Sequence, residues 1–322
     1  MKILIVRFSS IGDVILTTGV INQLKKHSPN CEIHYLTLHQ NLQLLQQCSF
    51  IDKIITIDKK ESFLGLFFKF FKIGFTYSYI FDLHSNFRSL IFKMSHPFKT
   101  TSYSKNALSR RLFVSLKYKF SSLDHHVVQK YYTPIQRKLN LPNSSLEKLR
   151  PAISLIKPDQ FDFDVVIHPF ASKNTKVWPY FEELIEILKK NNYRVAIIGN
   201  GPFKDIQGIT HFENKTSLDE VLKIINQSKL LVSNDSGPLH MGIAVNTFTV
   251  GIFGSTTKEF GFYPYFKHCR IVEHDNLNCR PCHVHGLDQC PLGHFNCMKD
   301  ISVTRVFDEI KRSVPTTPSN PP

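Results

Sequence analysis

The chain has 322 residues, enough for one large domain or for two of about 150 residues each. Its 42% hydrophobic and 12% aromatic content suffices for ordinary cores. The formal net charge of +14 is unevenly placed: residues 1–155 hold 22 Lys/Arg against 8 Asp/Glu, whereas residues 156–322 hold 18 of each, so the first half is expected to face something anionic.

Residues 2–8 read as a buried strand, followed by a turn at 9–13 and a helical pattern over 14–26. Arg7 and Asp13 interrupt the apolar start, which argues against a secretory signal. The expectation is a cytoplasmic protein whose seven cysteines are reduced. Strands at 33–38 and 53–57 continue an alternation with helices, the mark of a parallel sheet covered on both faces. The turn at 9–13 then falls at the carboxyl edge of that sheet, where such folds bind ligands. It contains one glycine, so neither the three-glycine dinucleotide fingerprint nor a Walker A loop is present. Asp13 suits two roles there, capping the following helix or acting as a general base.

Residues 63–75, FLGLFFKFFKIGF, are too short to span a bilayer and read as a core helix with two snorkelling lysines, ahead of a membrane-surface helix. After a strand at 79–83, no acid occurs from Leu83 to Leu123, while eight bases do: Arg88, Lys93, Lys99, Lys105, Arg110, Arg111, Lys117 and Lys119. That run points to anion recognition. Pro142, Pro151 and Pro158 mark a linker, and the domain boundary is expected near residue 155.

The second half restarts the alternation. A strand at 164–170 leads into a polar loop ending in Lys176-Val177-Trp178-Pro179, with a helix to residue 191. A strand at 194–199 ends in a glycine turn, and a helix at 217–227 follows. Residues 229–256 pack a strand, a tight turn, a small-residue helix and a second strand into one βαβ unit. Asp235 or Ser236 can cap that helix, Pro238 suits its first turn, and Gly237 lets backbone N–H groups approach a phosphate. The tail carries Cys279, Cys282, Cys290 and Cys297, whose C-x₂-C-x₇-C-x₆-C spacing resembles a zinc knot without matching a common module; reduced, partly buried cysteines are the favoured reading. A helix at 303–312 closes the chain before a proline-rich end.

Three segments together carry a family resemblance: Arg7-Phe8-Ser9-Ser10-Ile11-Gly12-Asp13-Val14, Lys176-Val177-Trp178-Pro179, and Asn234-Asp235-Ser236-Gly237-Pro238-Leu239-His240 with Phe253-Gly254-Ser255-Thr256. With the cysteine tail they resemble glycosyltransferase family nine, the lipopolysaccharide heptosyltransferases, over the chain to about residue 312. The resemblance implies an α/β GT-B fold of two Rossmann-like domains facing across a cleft. Residues 1–155 would bind the acceptor and 156–314 the nucleotide sugar, with 315–322 a disordered tail. It also implies inverting, metal-independent transfer from ADP-heptose to a lipid A–Kdo acceptor. The enzyme would be peripheral at the cytoplasmic face of an anionic inner membrane.

Carried onto this chain, Asp13 would be the base. Ser172, Lys176, Asp235, Ser236, Gly237, Pro238, Leu239 and His240 would hold the donor. Ser10, Gly12, Asn86, Arg88, Arg110 and Arg111 would hold the acceptor. Two departures leave the exact donor sugar open: Gly19 replaces a proline common in relatives, and only Asp205 stands in for a ribose-binding glutamate. Replacing Asp13 by alanine is expected to abolish transfer and leave folding intact. Two rival readings fare worse. A Rossmann oxidoreductase lacks its glycine fingerprint, and a nucleic-acid-binding protein, suggested by the basic run 88–119, leaves Asp13 and the 234–240 turn unexplained.

Overall fold

In the computed structural model the short apolar runs become strands of two parallel sheets, and the amphipathic stretches between them become helices. Residues 1–313 are described, so the expected 315–322 tail lies outside the described residues. In chain order the elements are β1 (Lys2–Val6), α1 (Ile11–His27), β2 (Glu32–Leu38), α2 (Leu42–Gln46), β3 (Lys53–Ile57), α3 (Phe63–Gly74), β4 (Tyr79–Asp82), α4 (Leu90–Ser95), β5 (Thr100–Ser102), α5 (Ala107–Leu116) and α6 (Val127–Leu139). There follow β6 (Phe163–His168), α7 (Phe181–Lys190), β7 (Val195–Ile197), β8 (Thr210–His211), α8 (Leu218–Asn226), β9 (Ser228–Asn234), α9 (Gly237–Ala244), β10 (Phe248–Phe253), β11 (Cys269–Glu273), α10 (Asn296–Lys299) and α11 (Val303–Ser313). They form two compact units: residues 1–107 with 122–154, and residues 108–121 with the chain from Leu155 onward.

The first unit has the strand order β3-β2-β1-β4-β5, every pairing parallel. One face of the sheet buries Leu4, Val6, Leu36 and Ile80 beneath Leu66 and Phe70 of α3 and Phe92 of α4. Phe70 and Phe92 stack at 4.5 Å. The reading of residues 63–75 as a core helix needs correction, because α3 is anchored on one side only. Leu66 and Phe70 are fully buried, while Leu64, Phe68, Phe71 and Phe75 are exposed.

On the opposite face α1 packs beside α6. Gly19 explains how closely α1 meets the segment before the linker: a Cβ there would lie 2.2 Å from the Arg150 carbonyl oxygen. α6 carries Pro134 inside it, yet it is fixed at both ends. The Gln129 side chain accepts the His126 N–H at 3.0 Å, and Asn140 closes the helix at φ 50°.

The second unit has the order β11-β10-β9-β6-β7-β8, again parallel throughout. Val165, Ile167, Leu230, Val232, Val250 and Ile252 bury one sheet face under Trp178, Phe181, Leu184 and Leu188, and α11 adds Val306 and Ile310. α5, expected in the first domain, packs here instead. The Arg110 guanidinium donates to the Phe260 carbonyl at 3.0 Å and lies over the Phe262 ring, and Phe113 meets Phe260 edge-on. Numbered within their units, the strands run 3-2-1-4-5 and 3-2-1-4-5-6, the doubly wound order, whose topological switch points lie between β1 and β4 and between β6 and β9.

Candidate functional site

At the switch point of the first unit, β1 runs straight into the turn that carries Asp13. This residue is in the first turn of α1, and its carboxylate reaches back to the Ser10 N–H at 3.4 Å and hydroxyl at 2.9 Å. The capping role is thus taken by the Asp13 side chain itself. The Arg7 guanidinium lies 2.5 Å from Oδ2, and the Tyr131 hydroxyl donates to Oδ1 at 2.7 Å. Burial alone would raise the Asp13 pKa, but Arg7, Tyr131 and Ser10 outweigh it and hold the carboxyl below its ordinary value. Arg7 is only 5% exposed and donates as well to the Leu83 carbonyl at 2.6 Å.

The end of β4 contributes Asp82, which is buried and accepts the N–H groups of His84 and Ser85 and the Ser89 hydroxyl. It organises the turn holding Asn86, whose side chain accepts the Ser89 N–H, and Arg88, whose guanidinium donates to the Lys59 carbonyl. Ser10 is exposed and Gly12 buried. The same unit contains a cavity of about 530 Å³ lined by Ser102, Tyr103, His125, Lys130, Arg137 and Lys138 among others, with no carboxylate in its wall. Tyr103 separates it from Arg7, which donates to the Tyr103 hydroxyl at 3.4 Å.

At the switch point of the second unit, β6 ends in His168 and β9 ends in Asn234, with Asp235 and Ser236 next. Lys176, on the loop after β6, pairs with Asp235 at 2.7 Å, and the Thr256 hydroxyl donates to the same Oδ2 at 2.8 Å. Asn234 ties the two loops together, donating to the Pro169 carbonyl and accepting the Trp178 N–H. Ser236 occupies the N-cap position of α9, yet its side chain makes no cap bond. Its hydroxyl instead meets His168 Nδ1 and Ser233, each at 3.1 Å. Asp235, the other candidate cap, is engaged by Lys176. The first-turn amides of α9 thus remain without a side-chain cap, with a lysine ammonium held one residue before the cap. That combination suits a phosphate. Burial keeps His168 neutral, with its pKa lowered to about 4. Gly199, at φ +111°, leaves room for that ring, since a Cβ would sit 2.6 Å from it.

Of the remaining residues singled out from sequence, Ser172 is exposed, and Gly237 and Pro238 open α9 half-buried while Leu239 and His240 are buried. Arg110 is buried in the second unit against Phe260, and Arg111 is exposed. Asp205 is exposed, 3.5 Å from His211. The cysteine tail frames the turn that carries Thr256. Arg280 donates to the Thr256 carbonyl at 2.9 Å and pairs with Glu273 at 2.7 Å, and the Cys282 N–H donates to the Ser255 carbonyl. Cys279 lies 4.0 Å from His294, but among the described residues no group of three or more His, Cys, Asp or Glu is arranged to hold a metal ion.

The sequence alone assigns no role to Arg7, Tyr131, His168 or Thr256, which the structure places at the two strand ends. Arg7 was legible as a charge in an apolar strand; Tyr131 meets Asp13 only through the packing of α6 on α1.

Residues 73–292 match the sequence model of glycosyltransferase family 9 (heptosyltransferase). Lipopolysaccharide heptosyltransferase 1 of Campylobacter coli is 24% identical over 293 residues, covering 80% of this chain and 84% of that protein. Lipooligosaccharide heptosyltransferase 2 of Campylobacter jejuni is 32% identical over 130 residues, which make up 40% of this chain and 35% of that protein. The solved structure of Escherichia coli ADP-heptose LPS heptosyltransferase II superposes with a TM-score of 0.73 at 18% identity, over 98% of each chain.

Proposed function

The chain belongs to glycosyltransferase family 9, the heptosyltransferases, and from that premise we propose that it transfers a heptose or related sugar from an ADP-activated donor to the lipid A–Kdo inner core of lipopolysaccharide, with inversion and without a metal. The observation that carries this reading is Lys176, held by Asp235 beside the uncapped amino end of α9. A diphosphate leaving group develops negative charge as its bond to the anomeric carbon breaks. An ammonium and a row of backbone N–H groups stabilise that charge in place. The named activities of the Campylobacter and E. coli relatives support the sugar and the acceptor class.

Direct displacement needs a single carboxylate. Asp13, ionised through its contact with Arg7, takes the proton of the acceptor hydroxyl as the new C–O bond forms; ADP departs with the electron pair of the old one. The cationic cavity beside Tyr103 supports an acceptor that carries carboxylate or phosphate groups. Titrating the purified chain with ADP, GDP, UDP and their sugars in a calorimeter tests the donor assignment. ADP-sugars should bind, and Lys176→Ala should weaken them by at least tenfold. Preference for another nucleotide, or unchanged affinity in Lys176→Ala, would overturn it.

A further inference from the structure

The aromatic face of α3 has no use in the chemistry above. Leu64, Phe68, Phe71 and Phe75 recur at the spacing of one helical face, opposite the anchoring Leu66 and Phe70. Phe68 is 68% exposed and Phe75 63%. The neighbouring α4 segment continues the surface with Met94, 69% exposed, and Phe98, 91% exposed. His96 joins the two, its ring 5.7 Å from Phe71 and 4.8 Å from Phe75. A contiguous run of exposed aromatic and long apolar side chains on one monomer face marks an interaction site.

The charge around that face is of one sign. Lys72 and Lys93 are exposed, and Lys99 lies at the edge, donating to the Phe75 carbonyl. Lys69 is paired with Glu61 at the start of the helix. Between Glu61 and Asp124 the sequence has one acid, Asp82, which is 2% exposed and fully engaged by backbone and hydroxyl donors. Among the described residues no helix is long and apolar enough to cross a membrane. An amphipathic helix whose apolar side carries phenylalanines and whose flanks carry lysines suits the boundary between headgroups and acyl chains.

We propose that the α3–α4 face of the first unit docks on an anionic phospholipid surface, the rings entering the interface while Lys72, Lys93 and Lys99 meet the headgroups. A second copy of this chain fits the face poorly, because a symmetric contact would set the same lysines against one another. The docking rests on the transferase reading only for its purpose, which is to hold the enzyme where a lipid-borne acceptor lies.

The test is co-sedimentation of the full chain with phosphatidylcholine vesicles containing phosphatidylglycerol, and with phosphatidylcholine alone. Partition should favour the anionic vesicles and weaken as salt rises. The combined Phe68→Ser, Phe75→Ser, Phe98→Ser variant and the Lys72→Glu, Lys93→Glu variant should each lose at least tenfold in partition, with circular dichroism and thermal midpoint unchanged. Transfer to a deacylated, water-soluble acceptor should stay at the parent rate in both. Absence of vesicle binding by the parent, or parental partition by both variants, would overturn the docking. So would an effect confined to self-association measured by light scattering. Vesicle partition requires no turnover, so failure of the transferase reading would show in the soluble assay alone.

Discussion

Asp13 is at once a helix-capping residue and the counter-ion of Arg7, and this double duty changes what its removal should do. A guanidinium that is 5% exposed would lose its carboxylate in Asp13→Ala. Breaking a buried pair from one side costs about 3–5 kcal/mol, so the alanine variant is expected to unfold at lower urea, against the expectation of an intact fold. Asp13→Asn keeps the shape and much of the hydrogen bonding and is the cleaner probe. Its kcat should fall by roughly 10²–10⁴-fold while its urea midpoint moves less than that of the alanine variant. Because Arg7 and Tyr131 hold the Asp13 carboxyl below its ordinary value, the acid limb of kcat/KM should lie lower than for a free aspartate.

His168 gives a second pH signature at the residue scale. Its folded value of about 4 is below the ordinary 6.5, so the unfolded chain binds more protons between them. The stability that follows is complete above pH 6.5 and is lost as the pH falls towards 4. Urea titrations across that window should show a steeper decline for the parent than for His168→Gln; equal slopes would move the effect to another group.

Among the elements, α1 and α9 show how backbone and side chain divide the work. Gly19 lets α1 approach the carbonyls of Leu149 and Arg150, and no side chain fits there. Gly19→Ala should cost about 1–3 kcal/mol, seen as a lower urea midpoint at unchanged slope. α9 has the opposite character, since Ser236 at its N-cap makes no cap bond and the first-turn amides are left without a side-chain partner there. α5 is the element whose allegiance no local pattern could reveal. Its helix forms from its own sequence, but Arg110 and Phe113 find Phe260, which lies far away in the chain.

For the whole molecule, the repeated doubly wound order puts a topological switch point in each unit, the place where sheets of this kind bind ligands. A nucleotide bound to one unit stabilises that unit by mass action. ADP at a hundred times its dissociation constant should add about 2.7 kcal/mol, raising the thermal midpoint of the parent. Lys176→Ala should show a much smaller rise at the same ADP concentration, and an equal rise would separate Lys176 from the diphosphate.

Local chemistry was enough for the alternation of strands and helices, because a two-residue period and a helical period are written in neighbouring side chains. It was also enough to place the turns at Asp13 and at 234–240, where small and polar residues end a strand and open the next helix. The charge imbalance of the first half needed only counting. What neighbouring residues cannot encode is the partner brought from elsewhere. Tyr131 reaches Asp13 across 118 positions, Lys176 meets Asp235 across 59, and α6 forms around Pro134 because its capping and packing outweigh a helix-breaking residue. The outer face of α3 was undecided for the same reason. A run of phenylalanines is equally suited to a core or a surface, and only the packing of Leu66 and Phe70 on the sheet determined which rings were left outside.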